Sequence, residues 1–168
     1  MTGDTPGRWH KAILEEFWVV MVAKTVRNLR GPRPLEELFN AMYRGKRSVS
    51  EFAQLDVLAN SERRSFTHKG KLREVVSPND KLTSCHEFIR LFLLDFLPVE
   101  TEVVFSYRKG ASSYGAVACH ASSRHFFLSD IADFFPSIKR ERIRSTIETG
   151  RATSPIADLD KWLGRIVD

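Results

Sequence analysis

Cysteine is scarce in this chain. Cys85 and Cys119 are the two in 168 residues, too few for a disulfide framework. Long apolar runs are missing too. The longest uninterrupted one, Phe17–Ala23, falls well short of the ~20 residues needed to cross a bilayer. It follows Glu15 and Glu16 rather than the basic leader of a secretory signal. Neither an internal repeat nor a low-complexity tract is present. These absences lead us to expect a soluble cytoplasmic protein with no membrane partner.

What is there is ordinary for a globular chain: 42% apolar, 28% charged and 11% aromatic residues. That is enough for one core, so one compact domain, or one and a small appendage, is expected. The formal net charge is +5, and the excess sits in the first third, with 9 basic against 5 acidic residues over 1–50. Such an excess permits nucleic-acid binding without demonstrating it.

Residues 1–8, with Gly3, Pro6 and Gly7, read as a loose start. The spacing of Ile13, Phe17, Val20 and Met21 predicts an amphipathic helix from Trp9 to Leu29, stopped by Gly31-Pro-Arg-Pro34. A shorter helix is expected over Leu35–Tyr43. A third is expected from Ser48, which forms a capping-box pattern with Glu51, to Ala59. Then the pattern changes. Ser65–Thr67 and Leu72–Val76 predict two strands around a turn closed at Gly70. Asn79-Asp80 opens a helix that Pro98 ends after Leu97. A strand over Thr101–Tyr107, a basic loop over Arg108–Ser113 and a short helix over Tyr114–Ala121 follow. His125–Ile131 predicts a buried strand delivering Asp130 at its end. The helices Ile138–Thr149 and Ser154–Val167 close the chain, the second with Ser154 as N-cap and Pro155 at its first position. The expected fold class is α+β.

Chemistry concentrates in Phe126–Ile138. A carboxylate at a rigid strand terminus is what two-metal phosphoryl transfer requires, because Mg²⁺ takes hard oxygen ligands in fixed geometry. In isolation, Asp130 and Asp133 read first as a strand-end cap and a surface charge. Lys71 and Arg73 in isolation read as solvated charges on a hairpin. Arg108 and Lys109 beside Gly110 form a loop where cations and backbone amides could meet phosphate oxygens, or a plain basic turn. His120 reads as a structural residue on its short helix. The pairs Cys85-His86 and Cys119-His120 lack the spacing of a zinc site, since adjacent helical side chains diverge by ~100°. Cys85 falls on an apolar face beside Phe88 and Ile89.

The pattern is longer than any of these parts. Asp130-Ile-Ala-Asp-Phe-Phe-Pro-Ser-Ile138 resembles the first palm motif of reverse transcriptases of the retron and group II intron type. Ser106-Tyr-Arg-Lys-Gly-Ala-Ser112 followed by His120 is similar to that family's basic glycine loop and its downstream histidine. Phe66-Thr-His-Lys-Gly-Lys-Leu-Arg-Glu-Val-Val-Ser-Pro78 is similar to its fingers hairpin. The resemblance covers residues 62–150. Residues 1–60 are compatible with the helical N-terminal extension of such enzymes, and the resemblance implies a fingers region over 61–124 (hairpin 65–76, helix 80–97, basic loop 108–113) and the beginning of a palm over 125–168.

The resemblance also implies roles. Asp130 would bind Mg²⁺ (or Mn²⁺) as the catalytic carboxylate, joined by the main-chain carbonyl of Ile131. Ala132, Asp133 and Phe134 would lie against the incoming deoxynucleotide, and Phe135 would screen its sugar. Lys71 and Arg73 would neutralise the triphosphate, a task suited to a guanidinium fork. Arg108, Lys109 and Gly110 would contact the RNA template, with a DNA primer or product strand as the further partner. The family completes its metal site with a Tyr-x-Asp-Asp turn, and no Asp-Asp pair occurs in this sequence. The chain is therefore expected to be the front part of an RNA-directed DNA polymerase, inactive by itself: a truncated gene product, a fragment, or one part of a split enzyme completed by a second chain carrying the rest of palm and thumb. The alternative is a non-catalytic nucleic-acid-binding or interaction module with a polymerase-like fold, for example in phage defence.

Overall fold

The computed structural model describes Trp18, Met21, Val22 and residues 31–106 and 110–167. Of the helix expected over 9–29, Trp18, Met21 and Val22 are helical and the rest lies outside the described residues. The observed class is α+β: helices with a two-stranded antiparallel sheet.

Helix α1 spans Leu35–Tyr43, as its apolar spacing predicts, and buries Leu35, Leu38, Phe39 and Met42 on one face. It ends where Arg44 and Gly45 both take left-handed backbone. Helix α2 (Val49–Gln54) carries the expected capping box between Ser48 and Glu51. It stops five residues earlier than the expected Ala59, because the Asp56 carboxylate accepts from the amides of Leu58 and Ala59 and builds a turn instead.

Strands β1 (Ser61–His68) and β2 (Lys71–Pro78) form the hairpin, longer at both ends than the expected 65–76. Lys69 and Gly70 have φ of 49° and 73°, the paired positive values of a two-residue turn whose twist matches the strands. At the root the Asn79 amide nitrogen donates to the Asn60 carbonyl at 2.9 Å, and their side-chain amides are also bonded. The same Asn79 caps α3 (Asp80–Phe92) by accepting from Lys81 and Leu82. Helix α3 ends at Phe92 rather than Leu97. Leu93 leaves helical backbone and a single 3₁₀ turn over Leu94–Phe96 absorbs the remainder ahead of Pro98.

The strand expected over 101–107 does not form across its described residues, 101–106. Residues 101–106 turn back on themselves, with the Val103 and Val104 amides bonded to the Glu100 carbonyl. Helix α4 (Ser113–Ala118) follows, its first turn capped by the Ser112 hydroxyl, which accepts from Gly115. The expected buried strand at 125–131 is also absent. The segment is irregular and exposed, because a strand requires a hydrogen-bonded partner and, among the described residues, β1 and β2 pair with each other. One short turn, α5 (Phe134–Ser137), interrupts it before α6 (Arg140–Thr149).

The last helix, α7 (Leu159–Val167), begins five residues after the expected Ser154. Tertiary pairing overrides the local capping signal. The Arg33 amide donates to the Pro155 carbonyl and the Ala157 amide to the Arg33 carbonyl, both at 2.8 Å, so residues 155–157 run extended beside residue 33. Asp158 then joins two elements. One carboxylate oxygen accepts from the Leu35 amide at 2.7 Å, at the start of α1, and the other from Trp162 Nε1 at 3.0 Å.

The core lies between α1, α2, α3, α6 and α7. Phe39, Phe52, Phe88, Phe92 and Trp162 form a chain of ring contacts with centroids 4.8 to 6.3 Å apart. Cys85 is buried on the α3 face of this core, and burial pushes its thiol pKa up. None of the described helices is long and apolar enough to cross a membrane.

Candidate functional site

Asp130 lies in the irregular segment and is exposed. Its Oδ1 accepts from the Ile131 amide at 2.9 Å. Three residues on, Asp133 takes left-handed backbone (φ 51°, ψ 41°), a conformation that Asp adopts more readily than most residues. That reversal starts α5. The turn is closed by the Ser137 amide on the Asp133 carbonyl at 2.9 Å and the Ser137 hydroxyl on the Phe134 carbonyl at 2.7 Å. Phe134 and Phe135 meet edge to face, with centroids 5.2 Å apart. Around them the apolar side chains are uncovered. Phe127 is 93% exposed and Leu128 96%, and Phe126, Ile131 and Phe135 are largely exposed too.

Lys71 and Arg73 project from the start of β2 and are exposed. Among the described residues, no hydrogen bond, ion pair or ring contact joins them to residues 130–135. Arg108 and Lys109 lie outside the described residues. Gly110, at φ 81°, occupies a backbone position that disfavours any side chain. His120 sits just past the end of α4 rather than within it, exposed, with its ring edge-on to Phe126 at 6.3 Å.

The sequence reasoning missed an open cleft of about 570 Å³ lined by Glu102, Val103, Phe105, Ser106, Ser113, Ala116, Cys119 and His120. It forms because 101–106 folds back towards α4. The local pattern there favours a strand and carries no signal for that path.

The donor set gives a mixed answer on Mg²⁺. The Asp130 carboxylate and the Ile131 carbonyl are hard oxygens of the kind the ion takes. Among the described residues, however, no group of three or more His, Cys, Asp or Glu side chains is placed to hold a metal. A two-ion site needs more carboxylates than Asp130 supplies, so no catalytic step follows from these residues by themselves. The chain matches no known family model, no curated protein and no solved structure.

Proposed function

We propose that the chain is the fingers and opening palm of an RNA-directed DNA polymerase of the reverse-transcriptase type, binding template RNA, a DNA primer strand and Mg²⁺-deoxynucleotide. The observation that carries this is the exposed Phe126–Phe135 segment. It presents two carboxylates, Asp130 and Asp133, among large apolar side chains that nothing in the described fold covers. Apolar area of this extent in water is costly, at roughly 25 cal/mol per Å². Further palm strands supplied by another polypeptide would pair the segment and bury those side chains. The exposed Lys71 and Arg73 suit the triphosphate-neutralising role on the hairpin. Bound Mg²⁺ would supply charge stabilisation during transfer to a primer hydroxyl, with Asp130 and the Ile131 carbonyl as this chain's contribution to holding it.

The test is primer extension on an RNA template, with and without a separate chain carrying a Tyr-x-Asp-Asp hairpin and thumb. The chain alone should not extend. The complemented mixture should, and Asp130→Asn should abolish extension while leaving RNA binding nearly intact. Extension that is equally strong with Asp130→Asn would overturn the assignment. Among the described residues no group of three or more His, Cys, Asp or Glu side chains gathers around Asp130, which favours a second reading, a non-catalytic nucleic-acid-binding module. Undiminished RNA binding without extension in every complemented mixture would support it.

A further inference from the structure

The β1–β2 register sorts the hairpin's side chains by chemistry. Cross-strand partners in an antiparallel pair share a face, and faces alternate along each strand. One face therefore carries Arg64 opposite Val75, Phe66 opposite Arg73, and His68 opposite Lys71. The other carries Arg63 opposite Val76, Ser65 opposite Glu74, and Thr67 opposite Leu72. Cations and an aromatic ring gather on the first face. Its one acid, Glu62, is bonded to Arg64 at 2.7 Å. Both faces are open to solvent along nearly the whole ribbon, and Phe66 is 48% exposed.

We propose that this first face binds single-stranded nucleic acid, with a base stacked on Phe66 and phosphates held by Lys71 and Arg73. The proposal rests on the nucleic-acid reading above but not on polymerase activity. It assigns the hairpin a strand-binding role besides neutralising a triphosphate. Lys71 and Arg73 are two residues apart on one strand, about 6.7 Å along it, a separation that lets each meet a different phosphate of an extended strand. Every base has a π-face, so stacking on Phe66 tolerates any sequence. A duplex keeps its bases stacked on one another and offers none to Phe66, which selects a single strand. An acidic protein would satisfy the cations but would leave the ring without a flat partner.

The test is fluorescence anisotropy of the whole chain with labelled oligouridylate, oligothymidylate and a duplex of equal length, without metal, primer or deoxynucleotide. The two single strands separate RNA from DNA as the source of the phosphodiester, and tighter binding of either over the duplex supports the proposal. Phe66→Ala should weaken single-strand binding roughly 5- to 150-fold with the salt slope unchanged. Lys71→Ala with Arg73→Ala should flatten the logarithmic salt slope by about 1.4, two contacts' worth. Phe66→Trp should retain affinity, which separates loss of the ring from loss of the hairpin fold. On the opposite face, Thr67→Ala and Glu74→Gln should cause no loss. Tighter binding of the duplex, equal losses from both faces, or weakening by Phe66→Trp as severe as by Phe66→Ala would overturn the proposal. Because the assay contains no reaction components, it can fail while primer extension in the complemented mixture still succeeds, and the reverse.

Discussion

Phe88 and Phe127 are the same side chain in opposite circumstances: one is 1% exposed inside the helical core, the other 93% exposed in the segment before α5. Sequence alone predicts both as buried. The difference lies in where each one's partners come from. On α1 and α3 the apolar residues recur at helical spacing, so each helix satisfies its own backbone and offers a finished face to the others. A strand satisfies nothing by itself. Phe126–Ile131 has strand-forming residues but no paired neighbour among the described strands, so its side chains have no surface to meet.

The largest difference in stability is expected at these two rings. Phe88 touches Phe39, Phe52 and Phe92, and Phe88→Ala should cost about 3–5 kcal/mol in a denaturant titration. Phe127→Ala should change stability by no more than about 0.5 kcal/mol, while lowering binding of a hydrophobic dye. Comparable destabilisation by both would show that the segment packs in solution.

A smaller contrast sits at the start of α7, between two acids two residues apart. Asp158 accepts from the Leu35 amide and from Trp162, both across part-buried contacts. Asp160 pairs with Arg151 at 2.5 Å where both side chains are more than half exposed. Asp158→Ala should cost about 1.5–3 kcal/mol, since it strands two donors. Asp160→Ala should cost at most about 1 kcal/mol. Thermal midpoints of the two variants against the parent chain decide it.

How much was legible follows the same division. Leu35–Tyr43, the Ser48–Glu51 capping box, the Asn79 cap and the turn at Gly70 are local devices, and each lies where its residues predict. The missed features are non-local. The start of α7 moves because residue 33, more than a hundred positions away, pairs with 155–157. The strand at 125–131 fails for want of a partner, and the cleft beside α4 depends on the path of a coil. For the site, the exposure of Lys71 and Arg73 was legible, and the rigid strand end beneath Asp130 was not there.

Tyr43 gives a third and smaller test, on the core side. Its hydroxyl donates to the Ser84 carbonyl at 2.6 Å, and burial, aided by the Glu87 charge, holds its pKa well above the ordinary phenol range. Tyr43→Phe should cost about 1 kcal/mol at neutral pH. A raised folded pKa contributes stability that is full below the unfolded phenol's pKa of ~10 and is lost as pH rises through the folded value. The advantage of Tyr43 over Phe should therefore hold constant up to about pH 10 and shrink above it. An advantage that grows with alkalinity would contradict this burial.

The smallest effect on stability is expected on the hairpin, where both faces are open to solvent and substitutions should register in binding instead. Glu62 and Arg64 are two residues apart on one face of β1, bonded at 2.7 Å, and both are well exposed. The hydrogen bond from Arg64, with its charge, lowers the Glu62 pKa below the usual carboxylate range, so the acid stays ionised and keeps Arg64 engaged. Glu62→Gln removes that charge. An exposed pair contributes little to folding, so the thermal midpoint should stay at that of the parent chain. Arg64, released, becomes a further cation on the face that carries Phe66, Lys71 and Arg73. Affinity for oligouridylate should rise, and the logarithmic salt slope should steepen by about 0.7, one added phosphate contact. The same substitution at Glu74, on the opposite face, removes an equal charge without freeing a cation there, so it should raise affinity less and leave the slope unchanged. If Glu62→Gln and Glu74→Gln act identically, the hairpin contributes only net charge, and the distinction between its two faces is lost.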